Sequence, residues 1–162
     1  MSFKRWAACA IIACLTATSL AGNGKSYDWA YWGGDAASSR YSPLDQITPE
    51  NFDKLQVVWR WSAANFGPQP DLIYRATPLY VNGKLYTVAG NRRAGVCTEP
   101  ATGETLWMFR EPESVRWAAS TRKDYGKGVA YAVVDGRKTI YLATPASYLW
   151  GLDADTGIPN QT

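Results

Sequence analysis

Chemistry needs side chains that carry or move charge, and in this 162-residue chain they are 17 Lys and Arg, 14 Asp and Glu, three Cys and no His. Without His, these residues cannot build a Ser-His-Asp triad, a His-ligated zinc or a Cys-His nucleophile. Cys9 and Cys14 fall in an N-terminal segment that reads as removable, which leaves Cys97 alone, with no disulfide partner and no metal-ligand cluster around it. Asp135, Asp153 and Asp155 stand in turn-like sequence and read as turn formers, because Asp bonds readily to nearby backbone. Arg92-Arg93 and Arg122-Lys123 are isolated pairs and read as solvated loop charges, not as a nucleic-acid surface. No residue is thereby assigned a catalytic or a metal-binding role. The stretch expected to carry a site is the polar connection from Glu111 to Gly126, EPESVRWAASTRKDYG.

Residues 1–21 have the pattern of an export signal: Lys4 and Arg5, the apolar run WAACAIIACLTATSLA, then small residues Ser19 and Ala21 before a cut ahead of Gly22. The run is short of the roughly 20 apolar residues that a membrane span needs. Retention as an anchor is the alternative, and Ile11-Ile12-Ala13-Cys14 also has the form of a lipoprotein cleavage box. Cleavage would lower the formal net charge from +3 to +1, fifteen basic residues against fourteen acidic. The apparent basicity therefore belongs to the signal, and a periplasmic, exported protein with no nucleic-acid partner is expected, membrane-associated if the anchor is kept.

The elements that must position any site are read from a repeat. The stretch TPLYVNGKLYTVAG, residues 77–90, is an apolar run reversed at Asn82-Gly83, the signature of a two-residue hairpin turn. A second copy follows, with Asp135-Gly136 as the turn and Ile140-Tyr141-Leu142-Ala143 as the strand. Equivalent points lie 53 (Val81 to Val134), 55 (Tyr86 to Tyr141) and 54 (Thr102 to Thr156) residues apart. Repeats of about 40–50 residues with several strands each mark β-propeller blades, the alternative being a β-sandwich with similar hairpins.

In chain order, residues 22–73 form a lead-in, with Thr48 as N-cap and Pro49 opening one helical turn through Phe52 to Lys54, then a strand Val57–Trp61. Residues 74–162 hold two truncated blades, with strands predicted around Tyr74 and Ala76, at 77–81, 84–89, 94–98 and 104–109, then from Lys127 to Tyr131 and finally near 147–152. Trp107 is expected to pack between neighbouring sheets. The fold class is all-β: an incomplete β-propeller of about two four-stranded blades. Two blades cannot close a ring, so the chain is expected to be the front part of a longer protein.

Taken together, DWAYWGGDAASSRYSPLDQITPENFDKLQVVW, ATPLYVNGKLY, TGETLW, KGVAY and GLDADTG resemble the start of the pyrroloquinoline quinone (PQQ) dependent dehydrogenases, nearest to the glucose, polyol and alcohol branch. The resemblance implies an eight-bladed propeller with PQQ and a calcium or magnesium ion near its axis. It implies oxidation of a sugar, polyol or alcohol by hydride transfer to the quinone, with a quinone or cytochrome as electron acceptor. It also implies a docking signature, Ala-x-Asp-x-x-Thr-Gly-x-x-x-Trp, whose positions are taken here by Cys97, Glu99, Thr102, Gly103 and Trp107, a departure at the first and third positions, and again by Gly151, Asp153, Thr156 and Gly157, with Gln161 where Trp would stand.

Two cofactor-contacting positions carry over. Arg75 stands where many relatives have a Glu, three residues before the Pro of the TPL-like strand. Lys127 stands where many have an Arg, and the adjacent cysteines of some relatives are missing. Cationic donors can pair with the three carboxylates of PQQ, although Lys127 lacks the planar fork of Arg. The catalytic base and the metal ligands of relatives correspond to no residue of this chain. A propeller that keeps the blades without redox chemistry, as a binding or scaffold protein, is the competing reading, and the charge reversal at Arg75 favours it.

Overall fold

The computed structural model describes residues 27–66, 74–90, 92–121, 123 and 128–160. The export signal, Lys127 and Gln161 lie outside them. Among the described residues, seven strands form two antiparallel sheets. The first contains β1 (Leu79–Val81), β2 (Lys84–Ala89), β3 (Ala94–Thr98) and β4 (Thr105–Phe109) in sequential order. After a short helix α1 (Val115–Ala119), β5 (Ala130–Val134), β6 (Arg137–Ala143) and β7 (Leu149–Asp153) form the second sheet.

The hairpin reading holds in both copies. Asn82 and Gly83 have φ of 50° and 74°, and Asp135 and Gly136 have 50° and 75°. Two successive residues at positive φ define the turn whose twist matches that of the strands it joins. Val81 pairs with Lys84 and Val134 with Arg137, so each loop is two residues long.

The repeat is also visible in the core. Leu79, Val81, Tyr86, Val88, Cys97 and Trp107 of the first sheet pack in one cluster with Ile140, Leu142 and Leu152 of the second. The alternation of β6 explains this, since Ile140 and Leu142 share a face while Thr139 and Tyr141 point the other way. A second cluster, Phe66, Ala89, Ala94 and Val96 with Trp61 packed against it, covers the other face of the first sheet. All five residues of β3 are therefore buried. The outer face of the second sheet has no such cover among the described residues, and Val134 and Leu149, which lie on it, are 44% and 72% exposed.

Trp107 packs between the sheets as expected, and the geometry shows how. A Cβ built on Gly157 would lie 2.5 Å from its ring, and its indole Nε1 donates to the Ala154 carbonyl at 3.0 Å. Gly157 also has φ of 72°, so both space and conformation require glycine there.

Several expectations are corrected. Val57–Trp61 is extended but pairs with no strand among the described residues, and Val57 and Val58 are exposed. Trp59 instead docks on the first sheet as Trp107 docks on the second. Its Nε1 donates to Pro100 O at 2.8 Å, and a Cβ on Gly103 would meet its ring at 2.8 Å. No strand forms around Tyr74 and Ala76. The ladder starts at Leu79, immediately after Pro78, which has no N–H to donate. The helical turn of the lead-in spans Phe52–Lys54 with Asn51, not Thr48, preceding it; the Asn51 Oδ1 accepts from Thr48 N at 2.8 Å. The Glu111–Gly126 connection contains α1, capped by Ser114, whose Oγ accepts from Trp117 N at 3.1 Å.

Candidate functional site

Antiparallel order sorts the connections onto two ends of the sheets. The tight turns at 82–83, 99–104, 135–136 and 154–158 share one end. The β2–β3 turn at 90–93, the long β4–β5 connection and the β6–β7 turn at 144–148 share the other, together with the entries into β1 and β5.

The tight-turn end does structural work. Lys84 Nζ pairs with Asp155 Oδ1 at 2.7 Å, and this hydrogen bond raises the pKa of Lys84 and lowers that of Asp155. Asp153 Oδ1 accepts from the backbone N–H groups of Asp155 and Thr156 and from the Thr156 hydroxyl, at 2.8–3.1 Å. Asp153 is thus a turn former, as its sequence context suggests. Burial raises the Tyr86 phenol well above its ordinary value, and its hydroxyl donates to Ala154 O at 3.2 Å. The Cys97 thiol is fully buried and its pKa is pushed up to about 11 by desolvation. A thiol protonated at neutral pH and closed to solvent is neither a nucleophile nor a metal ligand.

The opposite end carries the candidate cofactor positions. Arg75 is exposed at the approach to β1, beside the buried Ala76, and interacts with neighbours in the fold. Tyr74, on its other side, is tied by its hydroxyl to that of Thr87 on β2. Gly128, with φ of 86°, lies against Ala76, its would-be Cβ 3.9 Å from the Ala76 Cα. The entries to β1 and β5 are therefore neighbours, which brings the backbone beside Arg75 and the backbone that follows Lys127 together. Lys127 itself lies outside the described residues.

The rest of this end is tied together by charge. Buried Glu111 accepts from Ala146 N at 3.1 Å, joining the β4–β5 connection to the β6–β7 turn. Arg92 pairs with Glu113 at 2.7 Å and lies over the Trp117 ring at 4.7 Å, with Lys123 Nζ also 4.6 Å from that ring. Four donors at this end, Arg92 Nε, Arg110 Nε, Trp117 Nε1 and Trp150 Nε1, are buried without a hydrogen-bond partner. No group of three or more His, Cys, Asp or Glu among the described residues could hold a metal ion.

Two sheets stacked face to face, each held by a Trp from the preceding segment on its own Thr-Gly turn, are successive sectors of a β-propeller whose ring they do not close. The chain belongs to the PQQ-dependent dehydrogenase family: residues 29–162 match the beta-propeller domain model of glucose/ethanol/alcohol dehydrogenase. It is 34% identical over 145 residues to the dehydrogenase subunit of the quinone alcohol dehydrogenase of Gluconobacter oxydans (strain 621H), covering 86% of this chain and 17% of that protein. Quinohemoprotein alcohol dehydrogenase ADH IIB of Pseudomonas putida is 32% identical over 147 residues, covering 90% of this chain and 19% of its own length. Among solved structures, quinohemoprotein alcohol dehydrogenase ADHIIG of Pseudomonas putida HK5 superposes with a TM-score of 0.66 at 26% identity, over 83% of this chain and 18% of that one. The chain spans about a fifth of the length of these relatives.

Trp59 is the structural residue that sequence reasoning missed. Its signal was present: VVWRW and TLWMF place a Trp at the third position and an aromatic at the fifth, and both precede a Thr-Gly turn by several tens of residues.

Proposed function

We propose that this chain is the front portion of an exported PQQ-dependent dehydrogenase that oxidises a sugar, polyol or alcohol, and passes the electrons to a quinone or cytochrome. The observation that carries the reading is the family match over residues 29–162, on a pair of sheets with propeller packing. Relatives named as acting on alcohols, glycerol and glucose support the substrate class. A periplasmic location, with residues 1–21 as export signal, belongs to the same proposal.

The chemistry of the donors fits the cofactor in part. Arg75 is an exposed cation at the approach to β1, on the end of the sheets that carries the longer connections. A guanidinium pairs through two hydrogen bonds with a carboxylate, and PQQ has three, so Arg75 and Lys127 are the residues of this chain that would grip it. When bound, the quinone supplies a two-electron acceptor for the hydrogen on the carbinol carbon. Arg75 and Lys127 would orient that acceptor by charge. Calcium or magnesium is part of the proposal by family, and the described residues offer no donor set for it.

The experiment uses the protein expressed from its native reading frame, with PQQ and calcium or magnesium added. Saturable PQQ binding and dye reduction with an aldose or alcohol are expected, with Arg75→Gln weakening PQQ about tenfold, the size of one charge-assisted hydrogen bond. The charge reversal at Arg75 relative to the Glu of relatives favours a second reading, a non-catalytic scaffold. Absence of both PQQ binding and dye reduction across a broad substrate panel would establish that reading instead.

A further inference from the structure

An open recess of 680 Å³ lies between α1 and the β6–β7 turn, on the end of the sheets that carries the longer connections. Its polar lining is Arg93 from the β2–β3 turn, Arg116 of α1, Ser120 and Thr121 just after α1, and Thr144 and Ser147 of the β6–β7 turn. Alanines and a proline form the rest of the wall. Among the described residues no carboxylate lines it. Glu111 directs Oε1 to Ala146 N at 3.1 Å.

The lining is held in place. Arg116 lies over the Tyr148 ring at 4.7 Å, which keeps its stem extended along the rim. Arg93 is buried at 7% exposure, and its backbone N–H is anchored to Gly90 O at 3.0 Å. Arg93 and Ser120 also interact with neighbours in the fold, and a guanidinium carries five donors. The β6–β7 turn is closed by Ser147 N donating to Thr144 O at 3.0 Å, with Ser147 at φ of 63°.

We propose that this recess binds a phosphate-type dianion, free or as the monoester of a small alcohol or sugar. Two guanidiniums and the hydroxyls of Ser120, Thr121 and Ser147 supply more donors than the two oxygens of one carboxylate can accept, whereas a tetrahedral dianion offers three or four oxygens to them. The volume falls in the range of small-molecule sites and exceeds what inorganic phosphate fills, leaving space for the ester's organic part. The assignment does not depend on the quinone reading, because it uses neither Arg75 nor Lys127.

The test is calorimetric titration of the protein expressed from its native reading frame, without PQQ, using inorganic phosphate and glucose 6-phosphate as separate probes at low ionic strength. Saturable binding with a Kd below about 1 mM is expected. It should weaken about tenfold in the exposed Arg116→Gln variant, and several-fold in Ser147→Gly, which removes a hydroxyl while relieving a left-handed backbone. Tighter binding of the ester assigns the organic part to the recess, and equal binding assigns a free-anion site. No saturation by either probe, affinities unchanged in both folded variants, or displacement of phosphate by PQQ would each overturn the separate site.

Discussion

The indole of Trp107 lies so close over Gly157 that a Cβ there would sit 2.5 Å from its Cε3 atom. The two residues are 50 positions apart, one on β4 of the first sheet and the other in the turn that follows β7 of the second, so this contact ties the two sectors together. Trp107→Ala is expected to cost about 3–5 kcal/mol. Gly157→Ala should cost at least the 1–2 kcal/mol or so of a left-handed non-glycine residue. The double variant should lose less than the sum, since the missing ring removes the clash. Denaturant unfolding of the four proteins measures this directly.

Trp59 holds the first sheet in the same way, but its ring is only half-buried. Trp59→Ala should therefore cost less, about 1.5–3 kcal/mol, and should expose the amides of Glu99 and Gly103 to exchange without loosening the β5–β7 sheet. Hydrogen exchange resolved by sheet would show the asymmetry. Equal loosening of both sheets would contradict the sector description.

Cys97 should resist thiol reagents in the native protein at mildly alkaline pH and react promptly once unfolded. Its pKa is raised from 9.0 to about 11 by desolvation. The unfolded thiol therefore releases its proton first, and the unfolded state holds fewer protons between these values. Stability should fall as pH rises through that window and then level off. A Cys97→Ser variant, whose hydroxyl does not ionise there, should lack that part of the slope.

The Lys84–Asp155 pair should contribute little, below about 1 kcal/mol, because both side chains reach solvent. Asp155 titrates below its ordinary 3.8 in the fold, so its share is present above that pH and is lost as pH falls through the lower native value. Lys84 titrates above 10.5, so its share is present below that pH and is lost as pH rises through the native value. A Lys84→Met variant compared with the parent at neutral, strongly acid and strongly alkaline pH, with and without salt, reads both effects.

How much of this was legible in the sequence depends on the distance over which each feature is decided. Asn82-Gly83 and Asp135-Gly136 are settled by their own φ preferences, and the strands of the first hairpin were readable to within two residues, those of the second to within three. Trp107 was readable as an inter-sheet ring because the Thr-Gly corner repeats. Trp59 was not, because a β-branched and aromatic run reads as a strand whether or not a partner strand lies beside it. Helix α1 has five residues and one useful signal, the cap at Ser114, too little for a periodic pattern to emerge. The positions of Arg75 and Lys127 as cofactor contacts came from resemblance alone, since nothing in their local sequence separates a quinone-binding cation from a solvated one. The recess needed the fold, because Arg93, Arg116 and Ser147 come from three connections whose convergence no spacing reveals.

In both sectors the tryptophan precedes its glycine in the chain. A clasp that is always synthesised before the corner it closes on gives assembly a direction: Trp59 is waiting when residues 99–104 emerge, and Trp107 when residues 153–158 do. Each new sheet can then seat on a finished neighbour instead of searching for one, which keeps every joining step local in sequence and shortens the time that open apolar faces spend in water.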